Sequence, residues 1–131
     1  MGSVSPLINV MIKAAEKASR SLLRDFGEVE QLQVSVKGPS DFVSAADKKA
    51  EEILYKELSS ARPGYNFLME ERGEVQGSDP RHRWIIDPLD GTLNFLNGIP
   101  HWSISIGCEK DGEIIAGVIY DPVRDEMFFA E

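Results

Sequence analysis

Cysteine, histidine, positive charge and long apolar runs are all scarce in this sequence, and each shortage removes a class of function. Its 131 residues include one cysteine, Cys108, and two histidines, His82 and His101. One thiol closes no internal disulfide, and no Cys/His spacing resembles a zinc site, so a reducing, cytoplasmic setting is expected. No segment approaches the roughly 18 consecutive apolar residues of a membrane-spanning helix, and residues 1–5 lack the basic start and apolar run of a secretory signal. No membrane partner is expected. Lys and Arg number 14 against 22 Asp and Glu, a formal net charge of -8. That sign opposes a phosphodiester backbone, so direct nucleic-acid binding is not expected and cations are the natural partners.

What is present is ordinary globular material. Hydrophobic residues make up 42% and charged residues 27%, which argues against a disordered, collagen-like or disulfide-stapled chain. The length suits one hydrophobic core, so residues 1–131 are expected to form a single domain. Over residues 6–26, Leu7, Ile8, Met11, Ile12, Ala15, Ala18, Leu22 and Leu23 recur at helical steps, with Ser5 as N-cap and Gly27 as stop. A short extended piece is expected at residues 32–36. After the break at Lys37-Gly38-Pro39, a second helix is marked by Ala46, Ala50, Ile53, Leu54 and Leu58 and ends near Ala61, before Pro63-Gly64. Residues 66–69 and 84–86 read as short buried strands that run directly into acids. Residues 101–106 and 113–120 read as strands joined by an Asp111-Gly112 hairpin turn, and residues 126–131 return as another. The fold class is α+β, two N-terminal helices packed on an antiparallel sheet. The chain stops inside what reads as a strand, so the sheet is expected to continue beyond Glu131.

The densest chemical signal is Trp84-Ile85-Ile86-Asp87-Pro88-Leu89-Asp90-Gly91-Thr92-Leu93-Asn94-Phe95. A buried strand here delivers two carboxylates into a turn shaped by proline and glycine. Pro88 fixes φ, so the turn can aim the side chains of Asp87 and Asp90 and the carbonyl of Leu89 at one point. Such oxygens suit a hard cation, Mg2+ first among them. Gly91 permits close backbone approach, and Thr92 opens a short helix whose free N–H groups can hold a phosphate oxygen. Asp-Gly-Thr alone is more often an ordinary helix entry. What strengthens the signal is a second acidic pair, Glu70-Glu71, at the end of another strand, because four neighbouring carboxylates repel without a cation. Elsewhere the plain reading is preferred. His82 and His101 are expected in loop or packing roles, Cys108 in the core, and Trp84 and Trp102 packed behind the acidic turn. Lys48, Lys49, Glu51 and Glu52 read as a solvated helix face.

Taken together, these residues resemble the inositol monophosphatase family of Mg2+-dependent, lithium-sensitive phosphatases, in its bacterial form. The likeness lies in Asp87-Pro88-Leu89-Asp90-Gly91-Thr92-Leu93-Asn94-Phe95 after Trp84-Ile85-Ile86, and in Glu70-Glu71. It continues in Lys37-Gly38 with Asp41-Phe42-Val43-Ser44-Ala45-Ala46-Asp47, in Ile99-Pro100-His101, and in Tyr120-Asp121-Pro122. It implies the N-terminal part of a layered αβαβα sugar-phosphatase fold. It also implies that Glu70, Asp87, Asp90 and the carbonyl of Leu89 are Mg2+ ligands. Thr92, oriented by Asp47, would position and deprotonate the attacking water, with Glu71 acting through water. Asp90 and the N–H groups of Gly91 and Thr92 would meet a small phosphate-ester substrate, myo-inositol monophosphate or a similar sugar or polyol phosphate. Family members are commonly homodimers.

The family's further aspartate, in a Trp-Asp-x-Ala-Ala-Gly motif, has no counterpart in these 131 residues. The chain is therefore expected to be the N-terminal half of a family member, with metal binding weakened and turnover low or nil on its own. Other readings compete. Fructose bisphosphate, histidinol phosphate and phosphoadenosine phosphate are alternative family substrates. Some bacterial relatives bind the transcription and ribosome-biogenesis machinery, and an inactive truncated product is a third possibility. A haloacid dehalogenase-like enzyme needs Asp-x-Asp-Gly-Thr with a nucleophilic first aspartate, whereas Pro88 and Leu89 together separate the two aspartates here.

Overall fold

A computed structural model describes residues 4–29 and 39–131. The extended piece expected at residues 32–36, with Lys37 and Gly38 of the family-like segment, lies outside the described residues. Helix α1 spans Pro6–Phe26 and opens as expected, with the Ser5 hydroxyl accepting the Ile8 N–H at 3.1 Å. Gly27 follows its last turn with right-handed φ -63°. Helix α2 spans Pro39–Ala61. The strands are β1 (Tyr65–Met69), β2 (Gly73–Val75), β3 (Asp79–Asp90), β4 (Ser103–Lys110), β5 (Glu113–Asp121) and β6 (Glu126–Ala130), with a short helix α3 at Thr92–Leu96.

The strands form one six-stranded sheet in the order β2-β1-β3-β4-β5-β6. Helix α1 lies against α2 and over β4 and β5, while α2 covers β3 and touches α3. Period-two alternation puts Trp84 and Ile86, then Ile104, Ile106 and Cys108, then Ala116 and Val118 into the core. The intervening positions Ile119 and Phe128, paired across β5 and β6, stay 49% and 58% exposed. No helix among the described residues is long and apolar enough to cross a membrane.

Two features depart from the expected antiparallel meander. The sheet is mixed, because β1 and β3 run parallel, with Phe67 opposite Trp84 and Leu68 opposite Ile85. The cause is β2, a three-residue strand too short for its pattern to be legible. It turns back along the outer edge of β1, Met69 opposite Gly73, so that a second reversal sends β3 the same way as β1. The second departure is the length of β3, which continues through Asp87 to Asp90. Asp87 pairs with Ser105 and Asp90 with Ser103, leaving one extra residue on β3. Pro88, with no N–H to offer a ladder, sits in that bulge, where proline is tolerated.

Candidate active site

The parallel pairing decides where the acids go. Glu70 lies two residues beyond Leu68 and Asp87 two beyond Ile85, so an in-register parallel pair brings both carboxylates to the same end of the sheet. An antiparallel pair would have sent them to opposite ends. Glu70 and Asp87 lie beside each other, and both are held above the ordinary carboxylate range. Burial is the main cause for each, followed by the charge of Asp87 on Glu70 and of Asp90 on Asp87. The Asp87 carboxylate also accepts the Leu89 N–H at 3.3 Å, which fixes the bulge.

Asp47 reaches the same corner from α2. It is 6% exposed, and its Oδ1 finds no hydrogen-bond partner among the described residues. Burial, then the charges of Glu70, Asp87, Glu71 and Glu51, push its carboxyl up to about 7. Among the described residues, the Lys and Arg side chains that form ion pairs do so with Glu52, Glu57, Glu74, Glu109, Asp111 and Asp121, and none pairs with Asp47, Glu70, Glu71, Asp87 or Asp90. An orphaned buried oxygen among uncompensated carboxylates is a donor set suited to a hard divalent cation. The set is not closed. No three His, Cys, Asp or Glu side chains among the described residues converge as a preformed metal site would.

The remaining candidates divide between neighbouring clefts. Glu70 and Asp87 share a cleft of about 260 Å³ with Leu68 and Ile85. Asp47, Glu71 and Thr92 line a second, of about 300 Å³, together with Ser40 and Ser44. Asp90 and Gly91 open onto a third, of about 370 Å³, with Asn94, His101 and Asp121. Gly91 caps α3 at φ +95°, and Thr92 begins it, as the sequence suggests. A Cβ on Gly91 would lie 3.0 Å from the His101 carbonyl and 3.2 Å from Trp102 Cα, so the turn is both left-handed and crowded.

Other side chains have the surroundings that their type suggests. Trp102 packs on Phe26 and Phe95, Trp84 lies 5.5 Å from Tyr65, and burial pushes the Cys108 thiol up to about 11. His82 stacks on Tyr65 at 4.3 Å, its Nδ1 3.0 Å from Asp79. His101 lies in the loop before β4, within the expected loop or packing role. It lines the cleft beside Asp90, its carbonyl accepts the Asn94 amide at 2.8 Å, and its Nδ1 lies 3.3 Å from Arg124. Glu51 corrects the solvated-face reading. Lys48 and Lys49 are exposed and Glu52 pairs with Lys56 and Arg72, but Glu51 is 2% exposed and its carboxylate accepts the N–H groups of Glu71 and Arg72 at 2.9 and 3.2 Å. Its neighbours at Lys48, Lys49 and Glu52 disguised it. The one signal available was its place four residues after Asp47, on the same helical face.

Known proteins are similar to this chain in sequence and, where solved, in fold. An inositol-1-monophosphatase of Mesorhizobium japonicum is 65% identical over 127 residues, 97% of this chain and 48% of that protein. The Nus factor SuhB of Xylella fastidiosa is 46% identical, over 95% of this chain and 45% of its own length. The crystal structure of the extragenic suppressor protein suhB from Bartonella henselae superposes with a TM-score of 0.86 at 61% identity, covering 97% of this chain and 49% of that one. The chain thus spans about half the length of the relatives it matches. The family model described as the inositol monophosphatase family matches residues 3–131, and the chain belongs to that family.

Proposed function

We propose that the protein carrying this chain hydrolyses phosphate monoesters of small polyols, myo-inositol monophosphate first among them, in the cytoplasm and with Mg2+. The supporting observation is the junction of Glu70 and Asp87 at the ends of parallel strands, beside a buried Asp47 oxygen that has no partner among the described residues. Glu70, Asp87, Asp90 and the Leu89 carbonyl would hold the ion. Bound there, Mg2+ supplies the positive charge that offsets the ester phosphate and lowers the pKa of water.

The chain's own groups supply the rest. Thr92 and Asp47 line one cleft, where the hydroxyl orients a water and the Asp47 carboxylate takes up its proton. Glu71, in the same cleft, acts through solvent. The N–H groups that open α3 at Gly91 and Thr92, lacking helical partners by position, face the phosphate oxygens. Asp90 turns toward the cleft of His101 and Asp121, where the alcohol portion would sit. No covalent phosphoenzyme is required.

Phosphate release from myo-inositol monophosphate tests this. The protein should turn over with Mg2+ and be inhibited by lithium, and Asp87→Asn should lose at least about 100-fold in kcat/KM. Turnover that is indifferent to Mg2+, or a fully active Asp87→Asn, would overturn the proposal. A second reading, an interaction role in transcription, is favoured by the 46% identity to a Nus factor SuhB. Cells carrying Asp87→Asn together with Asp90→Asn separate the two: loss of function points to hydrolysis, and retention to scaffolding.

A further inference from the structure

The turn at residues 70–72 follows β1 and carries both acids of the first pair, yet its main chain is fastened to the helix beside it. Glu51 Oε1 accepts the Glu71 N–H at 2.9 Å and Oε2 accepts the Arg72 N–H at 3.2 Å. One helical step on, Glu52 Oε2 receives the Arg72 guanidinium at 2.6 Å, and the same guanidinium lies 4.4 Å over the Tyr55 ring. The turn's own cation is thereby engaged by α2.

We propose that Glu51 is the positioning residue of the acidic corner, its buried carboxylate clamping the Glu70-Glu71 turn so that Glu70 faces the cation and Glu71 the neighbouring cleft. This rests on the reading of the corner as a divalent-cation site. A fully buried carboxylate is costly to keep where packing alone is needed, since an apolar residue of similar size would fill the space at less cost. Two charge-assisted bonds to consecutive main-chain N–H groups offset that cost and fix the turn in both direction and register. The charge also adds to the negative potential at Asp47 and Glu70. Supports of this kind, standing behind a ligand, typically change metal affinity by about 10–100-fold when removed.

The test is Mn2+ binding, followed by the electron paramagnetic resonance of the free ion, in the complete protein with no phosphate ester present. Glu51→Gln presents one oxygen and one NH2 to two N–H donors, so one clamp bond is lost along with the charge. The expected result is a rise of about tenfold in the Mn2+ dissociation constant, with faster hydrogen exchange at the Glu71 and Arg72 amides. A folded Glu51→Gln that melts earlier but binds Mn2+ within twofold of the parent would overturn the proposal and leave Glu51 a purely structural residue. Asp87→Asn is the control. If it too leaves Mn2+ binding unchanged, the cation reading has failed and the positioning role goes with it. Should Glu51→Gln not fold, the unaltered protein decides: Glu71 and Arg72 amides exchanging as fast as those of the exposed Gln76-Gly77-Ser78 loop overturn the clamp, and protection that deepens on Mn2+ addition supports it.

Discussion

Asp47 carries a clear electrostatic cost. With its carboxyl raised to about 7 by burial and four neighbouring acids, it binds a proton in the folded chain at a pH where the unfolded chain has released it. The unfolded state therefore holds fewer protons between about pH 4 and 7, so metal-free stability from this residue is fully present below about pH 4 and is lost as pH rises through 7. Glu70 and Asp87 are shifted the same way. In the presence of a chelator, Asp47→Asn should stabilise the chain by about 2 kcal/mol at pH 8, and the gain should shrink to nothing near pH 4. Urea unfolding at pH 8, 6 and 4 checks this, and a gain independent of pH would refute the assignment. At this scale the neighbouring acids Glu70 and Asp87 were legible as a pair, because both sit in short motifs at the ends of apolar strands, whereas Asp90 opens onto another cleft. Glu51 was not. In one dimension a buried acceptor of main-chain N–H groups looks like any charged residue at helical spacing, and its partners lie 20 and 21 residues away.

Two glycine turns separate local strain from crowding. Gly112 closes the β4–β5 hairpin at φ +83°, after Asp111 at φ +51°, and a Cβ there meets nothing within 4 Å. Gly91 has a similar φ of +95°, but its Cβ would press on the main chain at His101 and Trp102. Gly112→Ala should therefore cost only the backbone penalty, about 1 kcal/mol. Gly91→Ala adds a clash that must displace either α3 or the segment before β4, and should cost at least about 3 kcal/mol. Thermal melts of the two variants read the difference directly, and equal losses would mean that the Gly91 turn relaxes freely. At the element scale the two long helices, the Asp111-Gly112 hairpin and the start of α3 at Thr92 were legible, since each rests on contiguous periodicity or on turn chemistry. The parallel β1–β3 pair was not, because it depends on an intervening strand of three residues whose pairing, not its composition, sets the direction of the next.

At the scale of the whole molecule, the excess of acid has both a diffuse and a focused part. A net charge of -8 repels itself across the surface and is relieved by any salt. The corner of Asp47, Glu70 and Asp87 holds like charges close together and partly out of water, where screening by dissolved ions is weak. The two parts respond differently to Mg2+. Potassium chloride at matched ionic strength screens the diffuse part alone, whereas a cation seated in the corner stabilises the folded chain by mass action, about 1.4 kcal/mol when its concentration is ten times the dissociation constant. For a domain of this size that corresponds to a rise of roughly 4 °C in Tm beyond the potassium control. Asp87→Asn should show the opposite pair of effects. It removes one member of the repelling pair, so Tm with chelator should rise, and it removes a ligand, so the increment specific to Mg2+ should vanish. Equal Tm shifts with Mg2+ and K+ in the unaltered chain would mean that the acids act only through their sum, and that their convergence at the ends of β1 and β3 attracts no particular ion.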